Sequence, residues 1–215
     1  MPKVGMEPVR RKALVDAALK TIGHHGSLTV TMSEIAREAG VSPALAHHYF
    51  GSKDRLLIAT IRSLLRQLRA DAVYALTQAQ TPRERISAVI RISFNADQFA
   101  PEVVAAWLAF YSEAQRSEEV RRLLALYARR LHSNLLSGLK PLCGSPEASR
   151  IADGAAAMID GLYIRQSLKA SPLSIDASVA LVEDYVTGQL QAASAARTAP
   201  HPTLSPQAGR GGDER

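Results

Sequence analysis

The stretch from residue 31 to residue 53, TMSEIAREAGVSPALAHHYFGSK, carries start and stop signals for two short helices. Thr31 and Glu34 form the capping-box pattern that begins a helix, and Gly40 follows the apolar positions where a helix can end in the left-handed conformation. A Ser-Pro pair then supplies an N-cap and a first helical residue for a second helix. Helix, short turn with glycine and helix is the DNA-binding helix-turn-helix arrangement, which we predict over about residues 31–50.

The positive charge of the chain lies in the same part of the sequence. The formal net charge is +6; residues 1–70 hold 11 Lys and Arg against 5 Asp and Glu, and the rest of the chain holds 15 of each. A basic segment beside a neutral body favours attraction to a phosphate backbone, although a solvated basic surface has the same composition. Because charge and motif coincide, we interpret this segment as a domain that binds nucleic acid.

Composition and helical spacing predict an all-α chain of about nine helices. Hydrophobic residues make up 47% and aromatic residues 5% of the chain, and no segment alternates as a strand would. A long helix from Lys53 to about Gln80 has an apolar stripe too long for a small N-terminal domain to cover. We therefore predict a three-helix helix-turn-helix domain over residues 8–68, joined by this helix to a second helical domain over 69–190. Residues 191–215 are predicted to form a disordered tail, because they cannot build a core.

Glycine and proline set several of the predicted helix boundaries. The first helix is expected to begin near Pro8 and to be ended by Gly23 and Gly26. The helix that begins at Ser117 is expected to be ended by Pro141 and Gly144. The last helix is expected to end at about Leu190.

The predicted second helix of the motif has one face free of carboxylates. Ala46 and Phe50 lie four residues apart and are expected to face the first helix, which leaves the other side for DNA. That side offers methyl groups, imidazoles and a phenol that can meet base edges or phosphates, and the helix starts offer backbone N–H groups. The predicted DNA-binding residues are Thr31, Ser42, Pro43, Ala44, Leu45, His47, His48, Tyr49 and Lys53.

Seven of the aromatic residues of the second domain lie on four predicted helices, interleaved with Asp97, Glu113 and Asp160. Aromatic faces together with a carboxylate bind cationic ligands, above all quaternary ammonium groups, although aromatics at helical spacing also simply form cores. The residues predicted for a cationic effector are Phe94, Asp97, Trp107, Phe110, Tyr111 and Tyr163.

Catalytic and metal-binding patterns are missing from the sequence. It contains no G-x-S-x-G, Walker loop, H-E-x-x-H or G-x-G-x-x-G, so we predict no enzyme activity, no catalytic residue and no cofactor. The adjacent pairs His24-His25 and His47-His48 point in different directions on a helix, so we predict no metal site. A single cysteine and the lack of an apolar run long enough for a membrane predict a soluble, cytoplasmic protein with no membrane partner.

The motif resembles one known family. Residues 8–68 resemble the DNA-binding domain of TetR-type repressors through a pattern of Thr31, Ile35-Ala36, Ala39-Gly40-Val41-Ser42, Tyr49-Phe50, Lys53 and Leu56. WLAFYSEA at 107–114, RRLHSNL at 129–135 and IDGLYIR at 159–165 are similar to the choline-responsive repressors of glycine-betaine synthesis within that family. Ala46-His47 departs from the Leu-Tyr of many members, so the contacts of this helix with the groove are expected to differ from theirs.

The resemblance implies a homodimeric repressor of choline uptake and glycine-betaine biosynthesis genes. Its partners would be double-stranded operator DNA and choline or a related trimethylammonium compound, with the predicted helices of about 146–169 and 174–190 pairing across a two-fold axis. Two alternatives stay open from the sequence: a TetR-type regulator of other genes with a different effector, and a dimeric DNA-binding protein without small-molecule control.

Overall fold

The computed structural model describes residues 6–168 and 173–198. These residues form nine helices and no strand, which confirms the predicted all-α fold. The helices are α1 (Met6–His25), α2 (Met32–Glu38), α3 (Pro43–Phe50), α4 (Lys53–Gln78), α5 (Pro82–Ser93), α6 (Pro101–Glu113), α7 (Glu118–Cys143), α8 (Ser145–Ser167) and α9 (Ile175–Thr198).

The helix-turn-helix is built by the caps that its sequence encodes. The Glu34 backbone N–H donates to Thr31 Oγ1 over 3.2 Å, and the Thr31 backbone N–H donates to Glu34 Oε2 over 2.6 Å, which completes the capping box of α2. The Ser42 hydroxyl accepts from the Leu45 backbone N–H over 3.2 Å and caps α3. Gly40 has a φ of 66°, the left-handed conformation that lets the chain turn between the two helices. Local sequence therefore determines the motif.

Two predicted helix ends are confirmed, because α1 is followed directly by Gly26 in the left-handed conformation and α7 is capped by Gly144. Three others, at Gly23, at Pro141 and near Leu190, are wrong. Helix α1 continues through Gly23 to His25, helix α7 includes Pro141 in its last turn, and α9 extends to Thr198 rather than ending near Leu190. The extension of α9 has a physical reason, since residues 191–198 are rich in alanine, the best helix former, and Ala193 is buried. The predicted tail of 191–215 therefore begins inside a helix, and its residues 199–215 lie outside the described part of the chain.

Two sets of contacts join the N-terminal helices to the rest of the chain. Helix α4 packs against α1 and α3 near its start and against α5 and α7 further along, so it connects the two ends of the molecule as predicted. Helix α1 also packs extensively against α6, a contact that the sequence did not indicate. At this crossing Gly23 meets the start of α6, where an added Cβ would lie only 2.6 Å from the Cα of Glu102. Glycine at this position is therefore required by helix packing and not by a helix end.

Helices α8 and α9 pack against each other and carry apolar side chains on an outer face. Ile164, Leu168 and Leu181 are exposed by 51%, 68% and 44% respectively. Single exposed apolar residues are ordinary, but Ile164 lies on α8, Leu168 directly after it and Leu181 on α9, so this helix pair exposes several large apolar side chains.

The close contact of α1 with α6 leads to a first prediction. Gly23→Ala should lower the free energy of unfolding by about 1–3 kcal/mol, because the added methyl group forces the two backbones apart. The loss should occur even though alanine has the higher helix propensity. Chemical denaturation of the variant and of His24→Ala, its exposed neighbour, would measure this effect. A Gly23→Ala protein as stable as the wild type would contradict the packing described here.

Candidate DNA-binding surface and effector site

The outer face of α3 is open to solvent along the predicted DNA-binding side. Ala46 is completely buried, while Pro43, Ala44, His47 and His48 are exposed. Leu45 and Tyr49 are half-buried. Helix α3 therefore packs through one side and presents the opposite side, as a helix must if it is to enter a major groove.

Several predicted DNA-binding side chains already have partners within the protein. The Thr31 hydroxyl donates to Glu34 Oε2 over 2.8 Å, and Nδ1 of His47 lies 3.3 Å from the carbonyl oxygen of Gly51. The pKa of the Glu34 carboxyl is lowered because the Thr31 backbone N–H and hydroxyl hydrogen-bond its charged form. An ionised carboxylate thus lies at the start of α2, next to Thr31, which is predicted to contact a DNA phosphate.

Lys53 has a structural contact that its sequence position did not reveal. Its Nζ donates to the carbonyl oxygen of Leu28 over 3.2 Å, so the side chain ties the start of α4 to the segment that precedes α2. Lys53 is half-buried, and it remains at the first residue of α4, where backbone N–H groups favour an anion.

An arginine from α1 lies against the back of α3. The guanidinium carbon of Arg11 is 5.6 Å from the ring centroid of Tyr49 and 5.2 Å from that of Phe50. Arg11 also pairs with Glu7 over 2.8 Å. This arrangement orients Tyr49 by cation–π attraction, and it shows that Arg11 supports the motif from the protein side.

The aromatic residues of the second domain separate into two groups. In the first, which we call the Asp160 cluster, Trp107 lies 6.3 Å from Tyr111 and 5.1 Å from Tyr127 between ring centroids, and the Tyr111 hydroxyl donates to Asp160 Oδ1 over 3.2 Å. These four side chains come from α6, α7 and α8. They bring aromatic faces and one carboxylate together.

The second group is an apolar packing cluster. Phe94 packs at 5.4 Å from Phe99 and at 6.1 Å from Tyr163, and the Tyr163 hydroxyl donates to the carbonyl oxygen of Ser93. Phe110 is completely buried and takes part in neither group, while Asp97 is exposed in the segment between α5 and α6. Of the six residues predicted for the effector, only Trp107 and Tyr111 belong to the Asp160 cluster. Tyr163 lies close to it, and the pKa of its hydroxyl is raised first by burial and then by the charge of Asp160.

Burial dominates the electrostatics of the Asp160 cluster. It raises the pKa of the Asp160 carboxyl, and the hydrogen bond from Tyr111 opposes this shift only in part. The pKa values of Tyr111 and Tyr127 are also raised, first by burial and then by the charge of Asp160. Nε1 of Trp107 is buried and has no hydrogen-bond partner among the described residues. The cluster therefore holds a carboxylate that a cation would stabilise and a donor that a ligand oxygen could satisfy.

A cleft of about 360 Å³ between α4, α5 and α7 reaches this cluster at Tyr127. Its floor is apolar, with Leu65, Leu68 and Ala72 of α4 facing Leu123 and Leu131 of α7. Its volume is within the range of about 300–1,000 Å³ typical of small-molecule sites.

Tyr127 and Asp160 are the two cluster residues outside the set predicted for the effector. The sequence shows them as an aromatic residue and an interleaved carboxylate, but residue spacing does not tell which side of α7 and α8 faces α6. In residues 6–168 and 173–198, no three His, Cys, Asp or Glu side chains are arranged to hold a metal ion. Within the same residues, no helix combines the length and the apolar character needed to cross a membrane.

Comparisons with known proteins agree with this architecture. The sequence profile of the tetR family of bacterial regulatory proteins matches residues 14–60, and the profile of the BetI-type transcriptional repressor C-terminal domain matches residues 82–191. The HTH-type transcriptional regulator BetI of Rhizobium meliloti (strain 1021) is 78% identical over 192 residues, 89% of this chain and 95% of the relative. The protein of the same description from Agrobacterium fabrum (strain C58 / ATCC 33970) is 69% identical over 191 residues, 89% of this chain and 93% of the relative.

Solved structures share the fold. A transcriptional regulator from Pseudomonas aeruginosa PAO1 superposes with a TM-score of 0.75 at 25% identity, covering 88% of this chain and 94% of the other. A regulator from Saccharomonospora viridis, solved in complex with choline, has a TM-score of 0.72 at 22% identity, covering 82% of this chain and 95% of the other.

The chain belongs to the tetR family of bacterial regulatory proteins. Its C-terminal domain is of the BetI type, so the chain is a transcriptional repressor that binds operator DNA through its helix-turn-helix, and it is not an enzyme. The predicted family, fold class and regulatory function are thereby confirmed, whereas the individual DNA and effector contacts stay predictions.

Lys53 contacts the Leu28 carbonyl and also lies at the start of α4, where an anion is favoured, and these two environments give a second prediction. If its ammonium group contacts a phosphate, Lys53→Ala should weaken binding to all DNA and reduce the slope of log affinity against log salt by about one. Fluorescence anisotropy at several salt concentrations measures this slope. Lys140→Ala, at an exposed position of α7, removes the same charge without the contact. An unchanged slope accompanied by a lower melting temperature would show that Lys53 only stabilises the fold, through its hydrogen bond to Leu28, and does not contact a phosphate.

Proposed function

We propose that the chain represses genes of choline uptake and glycine-betaine biosynthesis in the cytoplasm and is released from its operator by choline or a related trimethylammonium compound. The observation that carries the proposal is the Asp160 cluster, in which one half-buried carboxylate lies among three aromatic side chains. The description of its relatives as BetI and the choline complex of the regulator from Saccharomonospora viridis support the same effector class.

The chemistry of the cluster matches a quaternary ammonium ion. Such a cation has no N–H to donate, so aromatic faces and an uncompensated carboxylate are the groups that can stabilise it. In the described residues, Asp160 has Tyr111 as a hydrogen-bond donor and no cationic side chain within ion-pair distance. We infer that Asp160 supplies the counter-charge, that Trp107, Tyr111 and Tyr127 supply the aromatic faces, and that Trp107 Nε1 donates to the choline hydroxyl.

A homodimer would place two copies of α3 on one operator. We propose that α8 and α9 pair with those of a second chain and cover Ile164, Leu168 and Leu181, which are exposed in the single chain. A two-fold dimer would then direct its α3 helices to successive major grooves about 34–36 Å apart.

The contact of α1 with α6 offers a route from the effector to DNA. Trp107 and Tyr111 belong to α6, and the start of the same helix packs on Gly23 of α1. Helix α4 provides a second connection, because it begins at Lys53 beside the motif and ends among α5 and α7. We propose that choline prefers a conformer in which α6 and α4 are displaced, and that this conformer holds the two α3 helices at a separation unsuited to the operator.

A third prediction tests the effector. Choline added to the protein–operator complex should lower DNA affinity, and Asp160→Asn should reduce this response at least about tenfold in choline concentration. Asparagine keeps an oxygen acceptor for Tyr111, so the variant should fold. Its melting temperature should rise, because a buried charge that opposes folding has been removed. Asp153→Asn, at an exposed position of the same helix, is the matched control.

Two outcomes of this experiment would contradict the proposal. If choline and betaine aldehyde both leave DNA affinity unchanged, the protein responds to another effector or to none. If both aspartate variants retain the wild-type response, the cation is bound away from Asp160.

The direction of the Asp160 pKa shift gives a fourth prediction. Because burial raises this pKa, Asp160 is protonated in the free protein at a higher pH than the ordinary aspartate value of about 3.9. Choline affinity should therefore weaken as pH falls through the raised pKa, and choline binding should release protons. Isothermal titration calorimetry in buffers of different ionisation enthalpy measures both effects. The neutral isostere 3,3-dimethyl-1-butanol should show neither, and a pH-independent choline affinity would contradict the role of Asp160.

A further inference from the structure

The cleft between α4, α5 and α7 has a charge pattern that choline does not explain. Its rim carries Arg62, Arg66 and Arg69 from α4 and Arg130 from α7, and no Asp or Glu lines it. Only Arg62 has an ion-pair partner among the described residues, Glu119 at 2.9 Å. The cleft therefore presents three unneutralised guanidinium groups above an apolar floor.

We propose that this cleft binds a small amphipathic anion, a molecule with one carboxylate or phosphate head group and an apolar chain. The guanidinium groups would pair with the head group, for which arginine has the best-matched donor geometry. The leucine side chains and Ala72 of the floor would cover the chain. A cation is disfavoured at this rim by the same charges, so the site is distinct in chemistry from the Asp160 cluster.

Two properties separate this site from an arginine-rich surface. The arginines of α4 recur at positions 62, 66 and 69, which places them along one side of that helix, and Arg130 faces them from α7 across an apolar cleft. Ala72 and Leu131 are each only 7% exposed, so part of the apolar floor is buried between the helices. A ligand there would touch α4 directly, the helix that begins at the DNA-binding motif.

Isothermal titration calorimetry with three eight-carbon probes, all below their micelle concentrations, tests the head-group requirement. Octanoate should bind saturably with one molecule per chain, while octanol and octyltrimethylammonium should bind at least roughly tenfold more weakly, because they lose the charge-assisted hydrogen bonds. Hexanoate should bind roughly tenfold more weakly than octanoate, since it buries two fewer methylene groups. Octyl phosphate distinguishes the two possible head groups.

Variants locate the binding. Arg69→Gln/Arg130→Gln should weaken octanoate at least roughly tenfold, whereas Arg129→Gln, which is exposed on α7 and does not line the cleft, should have no effect. Asp160→Asn should retain octanoate binding, so a failure of the choline proposal would leave this inference intact.

Several results would overturn the inference. Octanol or octyltrimethylammonium binding as tightly as octanoate would show that the arginines do not select the ligand. Inorganic phosphate binding as tightly as octyl phosphate would show that the apolar floor has no role. If the double variant and Arg129→Gln lose octanoate affinity equally, the anion is not bound in the cleft. If octanoate does not bind saturably at all, the site does not exist.

Discussion

The packing of α1 on α6 is the contact on which the regulatory account depends. A glycine at the crossing lets two backbones approach so closely that a single methyl group would collide with the α6 main chain at Glu102. Close-packed interfaces of this kind have discrete arrangements and do not deform gradually, so a small displacement of α6 must be taken up by α1. The Asp160 cluster and the DNA-binding motif are therefore connected through the contact of α6 with α1, in addition to α4.

At the Asp160 cluster, by contrast, the fold gives up stability at a site that a ligand could stabilise. A carboxylate whose pKa is raised by burial weakens the fold at neutral pH, and the single hydrogen bond from Tyr111 compensates only partly. Proteins keep such groups where a ligand provides the missing interaction. A cation bound beside Asp160 would offset the cost of burying its ionised carboxylate. It would therefore stabilise the conformers in which the cluster is formed.

Sequence reasoning succeeded where local interactions decide the structure. The capping box at Thr31, the Ser42 cap and the left-handed Gly40 involve residues three or four apart, and all three occur as their sequence indicates. It failed where distant segments meet: Gly23 resembles a helix end, but α6 uses it as a packing surface. The aromatic residues were identified, yet only the arrangement of α6, α7 and α8 shows that Tyr127 and Asp160 join Trp107 while Phe110 and Asp97 do not. Spacing along one helix contains no information about its neighbours.

We propose that effector binding changes the separation of the two DNA-binding motifs in a dimer. Pulsed electron paramagnetic resonance between nitroxides at Ser33→Cys, an exposed position of α2, measures this separation, and the native Cys143 is only 5% exposed and should stay unlabelled. We expect one narrow distance distribution with operator DNA and a shifted mean distance with saturating choline. Identical distributions with and without choline, in a protein shown to bind it, would contradict this mechanism of release.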